Sequence, residues 1–174
     1  MIDYRQEIIS LLRSTGRENI EEVISWMVTG GFFDAPASVS FHNAFQGGLA
    51  KHSYEVYQEA AKLNLEAGLP ENSVIICSLL HDACKADQYA MKDGKPVRIT
   101  ANIEKGHGRR SVFILKRGCQ LPLNYDEEMA IWWHMGIHEV SKDRFPKEYK
   151  DSSGIKLCRL IQEADSLAAK NALI

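Results

Sequence analysis

Residues Val74 to Asp87, reading VIICSLLHDACKAD, constrain this chain more than any other stretch. An apolar run of Val74, Ile75, Ile76 and Cys77, with Leu79 and Leu80 after Ser78, leads straight into His81–Asp82. A helix carrying that many apolar residues is buried on most sides. An imidazole and a carboxylate at its end are costly to bury unless something pairs them. Adjacent helical residues point about 100° apart, so both side chains can face a pocket at the helix's end. The simplest partner for such a pair is a metal ion. Taken alone, the dipeptide reads more blandly, as a hydrogen-bonded core histidine beside a solvated aspartate. The rest of the chain has to decide.

The surroundings are helical. Tyr4 to Ser14 and Glu18 to Thr29 each place apolar residues at helical spacing, and Gly16 separates them. They predict an N-terminal αα-hairpin over residues 1–31. Phe32 to Gly48 is irregular, and a connection of that length is often functional. Leu49 to Ala67 predicts a long helix, and Pro70 or Asn72 starts the next one. Asp93–Gly94 between QYAMK and KPVRIT predicts a small β-hairpin within Gln88–Ala101. Helices are expected over Arg109–Arg117, Asp126–His134 and Ile155–Lys170, with an irregular polar stretch from Gly136 to Ser153.

Composition narrows the class. At 174 residues the chain is expected to be one domain, with 43–170 as its core. It is 45% hydrophobic and 25% charged, as soluble globular proteins are. A net charge of −2 without a basic block gives no sign of non-specific nucleic-acid binding. Cys77, Cys84, Cys119 and Cys158 form no CxxC pair and read as reduced core thiols of a cytoplasmic protein. The start, MIDYRQEIIS, is too charged for a signal peptide, and no apolar run is long enough to span a membrane.

Few polar residues interrupt the apolar helical faces. They are His52, His81, Asp82, His107, His134 and Asp165, all of metal-ligand type. Apart from the His81–Asp82 pair, each lies on or at the mouth of its own helix. Asp165 stands out: Leu157, Leu160, Ile161, Ala164 and Ala168 mark a buried face, and it falls on or beside it. One such residue is ordinarily a satisfied core group. Several helices each supplying one indicate convergence on a common site.

This arrangement resembles the HD superfamily of metal-dependent phosphohydrolases. The matching text is GGLAKHS around His52, LLHDACK around His81–Asp82, GHG around His107, AIWWHMG around His134 and EADSLAA around Asp165. It covers roughly Asn43 to Ala169. The resemblance implies an all-α, HD-domain-like helical bundle, here with a small β-hairpin insertion. It implies that His52, His81, Asp82 and Asp165 ligate one metal. In two-metal members Asp82 would bridge to a second ion, helped by His107 and His134. Such members usually carry another histidine directly after the one matched by His134; here that residue is Met135. A thioether is a poor ligand for hard or borderline ions, so the second site is expected to be weak, water-rich or absent. His138 could replace the missing ligand if the helix continued, but Gly136 argues against that.

Imidazole and carboxylate ligands together suit Mn, Fe, Co, Ni or Zn better than Mg. Such an ion lowers the pKa of bound water and neutralises phosphoryl charge. By the same resemblance the substrate is a small phosphate mono- or diester, with a nucleotide in range. Lys85, three residues after Asp82 and four after His81, is placed to contact a phosphate oxygen and is assigned with Asp82 to the catalytic set. Arg109, in the first turn of a helix where the dipole disfavours a cation, is a second candidate for substrate binding, because an anionic ligand would offset that; a surface Arg109–Arg110 pair is the equal alternative. Trp132 and Trp133 read as core and pocket wall, and His42 is given no role. Three other readings stand beside the hydrolase: a di-iron HD-type oxygenase, a non-catalytic metal- or nucleotide-binding HD module, and a plain helical domain.

Overall fold

The structure is a computed structural model that describes residues 2–99, 106–136 and 155–172. His138, the irregular stretch expected over 137–153 and the last residues of the hairpin insertion, 100 and 101, lie outside the described residues.

Helix α1 spans Tyr4–Ser14 and is capped by Asp3, whose side chain accepts from the Gln6 amide. Helix α2 spans Ile20–Thr29, starting two residues later than the pattern suggests because Asn19 turns left-handed. The two bury Ile8, Leu12, Val23 and Met27. Residues 32–47 form neither helix nor strand. Helix α3, Gly48–Ala67, carries His52 and ends at a left-handed Gly68. Helix α4, Glu71–Leu80, is buried from Ser73 onward, as its apolar run requires. It stops at His81, and a turn leads into the short helix α5, Lys85–Gln88.

Strands β1, Tyr89–Lys92, and β2, Lys95–Arg98, pair antiparallel, with Tyr89 opposite Arg98. Asp93 and Gly94 both have positive φ, the geometry a two-residue hairpin turn demands. Helix α6, His107–Phe113, runs into a π-helical turn at Ile114–Gly118. The regular helix expected over Arg109–Arg117 therefore begins earlier and loosens at its end, where Cys119 bonds back to the Ile114 carbonyl five residues earlier. Helix α7 spans Tyr125–Trp132, and helix α8 spans Lys156–Asn171.

In the bundle α3 packs on α4 and α8, and α7 packs on α4, α6 and α8. Gly108 permits the α6–α7 approach: a Cβ there would run into the Ile131 and Trp132 carbonyls. The core gathers residues of α1, α2, α3, α4, α7 and α8 around Ile76, Leu79, Leu80, Ile131 and Ile161. No helix among the described residues is long and apolar enough to cross a membrane.

Candidate metal centre

Five segments deliver the polar cluster to one place. His52 comes from the first turns of α3, and Asp165 from α8, which packs on it. His81 and Asp82 sit where α4 gives way to the turn, fastened by Cys84 N–H donating to Ser111 Oγ of α6. His107 opens α6, and His134 lies two residues past the end of α7. The sequence pattern carries α7 as far as His134. The helix stops at Trp132 because Trp133 leaves helical geometry, and Gly136 adopts a positive φ.

Asp82 is the hub. Its Oδ2 lies 3.3 Å from His81 Nε2 and 3.7 Å from His52 Nε2. Its Oδ1 faces the other way, 3.4 Å from His134 Nε2 and 3.6 Å from His107 Nε2. Asp165 Oδ1 closes the first side, 3.1 Å from His52 Nε2 and 3.9 Å from His81 Nε2. Ligand-type atoms of His52, His81 and Asp165, and likewise of His81, Asp82 and His134, lie within 4.8 Å of one another.

Two of the rings are fixed in the tautomer a metal needs. His81 Nδ1 lies 2.8 Å from the Ser78 carbonyl, and His134 Nδ1 lies 2.7 Å from the Ile131 carbonyl. A carbonyl oxygen only accepts, so each Nδ1 carries the proton and leaves a lone pair on Nε2. These inward atoms are not satisfied by the protein. Nε2 of His52, His81 and His134 and Oδ1 of Asp82 are buried without a hydrogen-bond partner, the short contacts between them being misaligned. Buried polar atoms almost always find partners, so such a cluster of orphans is abnormal. A divalent ion would satisfy them together, and the donor set of imidazole nitrogen and carboxylate oxygen fits one.

The electrostatics agree. Burial pushes the Asp82 carboxyl up, but the Lys85 ammonium and the imidazoles of His81 and His134 prevail and hold it well below the usual range. Asp165 is likewise held low, its burial outweighed by His52 and His81. Burial depresses His52, and takes His107 down to about 3 despite Asp82. His134 is raised, because Asp82 outweighs its burial. The carboxylates are thus charged, and two of the imidazoles stay neutral, near pH 7.

Lys85 Nζ sits 2.5 Å from Asp82 Oδ2, nearly buried. It also lines a cavity of about 730 Å³ that opens over the cluster, with His107, His134 and Asp165 in its wall. Arg109 is not brought there. It is exposed, with its guanidinium 6.0 Å from the centre of the Trp132 ring, and it does not line the cavity. The dipole mismatch at the start of α6 is therefore met by an aromatic face rather than an anion. Among the described residues, the cations in the cavity wall besides Lys85 are Arg98 and Lys170. Arg98 lies 5.9 Å from the Tyr89 ring across the hairpin. Trp132 and Trp133 stack on each other outside the cavity wall, whereas Met135 lies in it.

His42 is the residue that sequence reasoning passed over. It too lines the cavity, its ring 4.7 Å from that of His52. Its loop offers no periodicity from which its position could be read. A histidine ten residues before His52 was the available signal.

The family model for the HD domain matches residues 49–170, most of the chain, including the cluster from His52 to Asp165. The chain belongs to the HD domain family. That family consists mostly of metal-dependent phosphohydrolases. No curated protein and no solved structure gives a match. Helices α1 and α2 and the loop carrying His42 precede the matched segment of this HD domain.

Proposed function

We propose that this HD domain is a metal-dependent phosphohydrolase acting on a small phosphate mono- or diester. The observation that carries the reading is the two-sided Asp82, with His52, His81 and Asp165 on one side and His107 and His134 on the other. His52, His81, Asp82 and Asp165 would hold one transition ion. Asp82, His107 and His134 would hold a second more weakly, since Met135 adds only a thioether. A bound divalent ion supplies Lewis acidity and an activated water.

The chain's own residues do the rest. Lys85 lines the cavity beside the cluster and is the cation placed to meet a phosphoryl oxygen. Arg98 and Lys170 add positive charge to the same wall, and they take over the anion-binding part first given to Arg109. Phe41, Ala37 and Ala169 give it apolar surface. A volume of about 730 Å³ suits a small molecule up to the size of a nucleotide.

The test is turnover of a panel of nucleotides and generic phosphate esters with Mn, Ni, Co and Mg. Metal-dependent phosphate release that Asp82→Ala abolishes supports the reading. Tight binding of two irons and oxygen uptake, without phosphate release, would replace it with the oxygenase.

A further inference from the structure

We propose that His42 is a substrate-contacting residue, donating a hydrogen bond from its imidazole to the phosphoryl group of a ligand in the cavity. This deepens the hydrolase reading and rests on the same site.

The loop that carries His42 is held in one shape. Ala37 N–H donates to the Asn43 carbonyl, Gly47 N–H to Asp34 and Leu49 N–H to Ala35. Ser38 Oγ donates to the His42 carbonyl at 2.9 Å and accepts from Phe41 N–H. Asn43, in a left-handed conformation, accepts from Lys51 Nζ and donates to Glu55, both on α3. Gly48 lets this corner close, because a Cβ there would run into the Asn43 carbonyl. The loop is therefore pinned to the helix that carries His52, and His42 keeps a fixed place beside the cluster.

That place suits a ligand contact better than metal ligation. The rings of His42 and His52 are 4.7 Å apart, yet His42 joins neither group of mutually close ligand atoms. Its Nε2 is buried and has no hydrogen-bond partner. Such an atom costs stability unless something arrives to satisfy it. The cavity it lines also holds Lys85, so a phosphoryl oxygen there would meet an ammonium and an imidazole together. A core packing role would explain the ring contact but leaves the orphaned nitrogen unexplained.

The test uses the full chain loaded with manganese, and inorganic phosphate as the probe. His42→Phe keeps a ring against His52 but removes both nitrogens. His42→Gln returns a donor near the Nε2 position. Calorimetry should show manganese affinity unchanged in both variants. Phosphate binding should weaken tenfold or more in His42→Phe and recover in part in His42→Gln. Equal phosphate binding by wild type and His42→Phe would overturn the proposal, as would wild type that binds no phosphate. Parallel loss of manganese and phosphate would instead make His42 a support for His52. Should His42→Phe fail to fold, His42→Gln decides: phosphate binding weakened severalfold with manganese affinity unchanged supports the contact, and phosphate binding equal to wild type overturns it. Ester turnover is scored separately. Phosphate binding that depends on His42 in a protein that hydrolyses no ester would keep the contact and discard the hydrolase.

Discussion

Among the described residues, two buried polar centres are built on opposite principles. Around Glu127, every charge finds a protein partner. Arg17 grips the carboxylate through both of its terminal nitrogens, at 2.9 and 2.6 Å. Ser73 Oγ donates to it at 2.7 Å, and the Asn124 amide at 3.0 Å completes a capping box at the start of α7. Around Asp82, the histidines and carboxylates crowd together, yet inward-facing atoms remain without partners. The closed centre ties the loop between α1 and α2 to α7. The open one gathers the kind of donor atoms that could hold a metal ion. A buried polar group that the chain satisfies is architecture, and one that it leaves unsatisfied marks where a ligand belongs.

The largest effect should come from breaking the closed centre. Glu127→Ala leaves Arg17 without its carboxylate, keeping only the Pro122 carbonyl, and leaves Ser73 Oγ unpaired; it should cost on the order of 3 kcal/mol, the low end for a broken buried pair because Arg17 is partly exposed. Denaturant unfolding measures it, and added metal should still raise the melting temperature of the variant. Loss of the metal response would mean that the two centres are not independent.

Next comes the open centre. Metal that binds only the folded chain adds about 2.7 kcal/mol at a hundredfold excess over Kd. Wild type should melt higher with Mn or Ni than without, and Asp82→Ala should show no metal-dependent shift while its helices persist by circular dichroism. An undiminished shift in the variant would move the metal elsewhere.

Acid should separate the centres by pH. His42, His52 and His107 are depressed by burial, His42 to about 4 and His107 to about 3, from an ordinary 6.5. Below pH 6.5 the unfolded chain therefore takes up protons that the folded chain refuses, and stability falls as pH falls. His134 is raised and works in the opposite direction, but alone against three. Glu127 is pushed up by burial but held below its ordinary 4.5 by Arg17, Ser73 and Asn124. Its contribution is complete above pH 4.5 and is lost as pH falls through the folded value. Metal-free protein should thus lose stability in two windows, and Glu127→Ala should shrink only the lower one, which the depressed Asp82 and Asp165 share. A single loss confined to the lower window would contradict the burial of the histidines.

The smallest effect concerns the second side of Asp82. Met135→His adds an imidazole at a position that lines the cavity, and it should tighten a second ion about tenfold, or roughly 1.4 kcal/mol. Calorimetric stoichiometry reads this. Two tight ions in wild type would show that some other group completes the shell.

The two centres also differ in how far the sequence disclosed them. The open centre was legible because each of its members breaks an apolar helical face: Asp165 sits between Ile161 and Ala168, and His81–Asp82 ends an apolar run. The bounds of α1 and the Asp93–Gly94 hairpin were legible for similar local reasons. The closed centre was not, because Arg17 and Glu127 are 110 positions apart and each looks like an ordinary surface charge. The acids opening α7 suggested a helix start, not a buried carboxylate. Arg98 and His42 reach the cavity only through the hairpin pairing and the pinned loop, which no periodicity encodes. Arg109 misled because the dipole argument sees the helix end but not the neighbouring Trp132.

The central claim is that the unsatisfied cluster is a metal site centred on Asp82. Anomalous scattering from crystals of manganese-loaded protein tests it most directly. The expected result is a strong peak about 2.0–2.3 Å from His52 Nε2, His81 Nε2, Asp82 Oδ2 and an Asp165 oxygen. A weaker peak or ordered water should lie on the Oδ1 side, near His107 and His134. Full manganese occupancy at any other place, or these side chains satisfied by one another with no peak between them, would contradict the account.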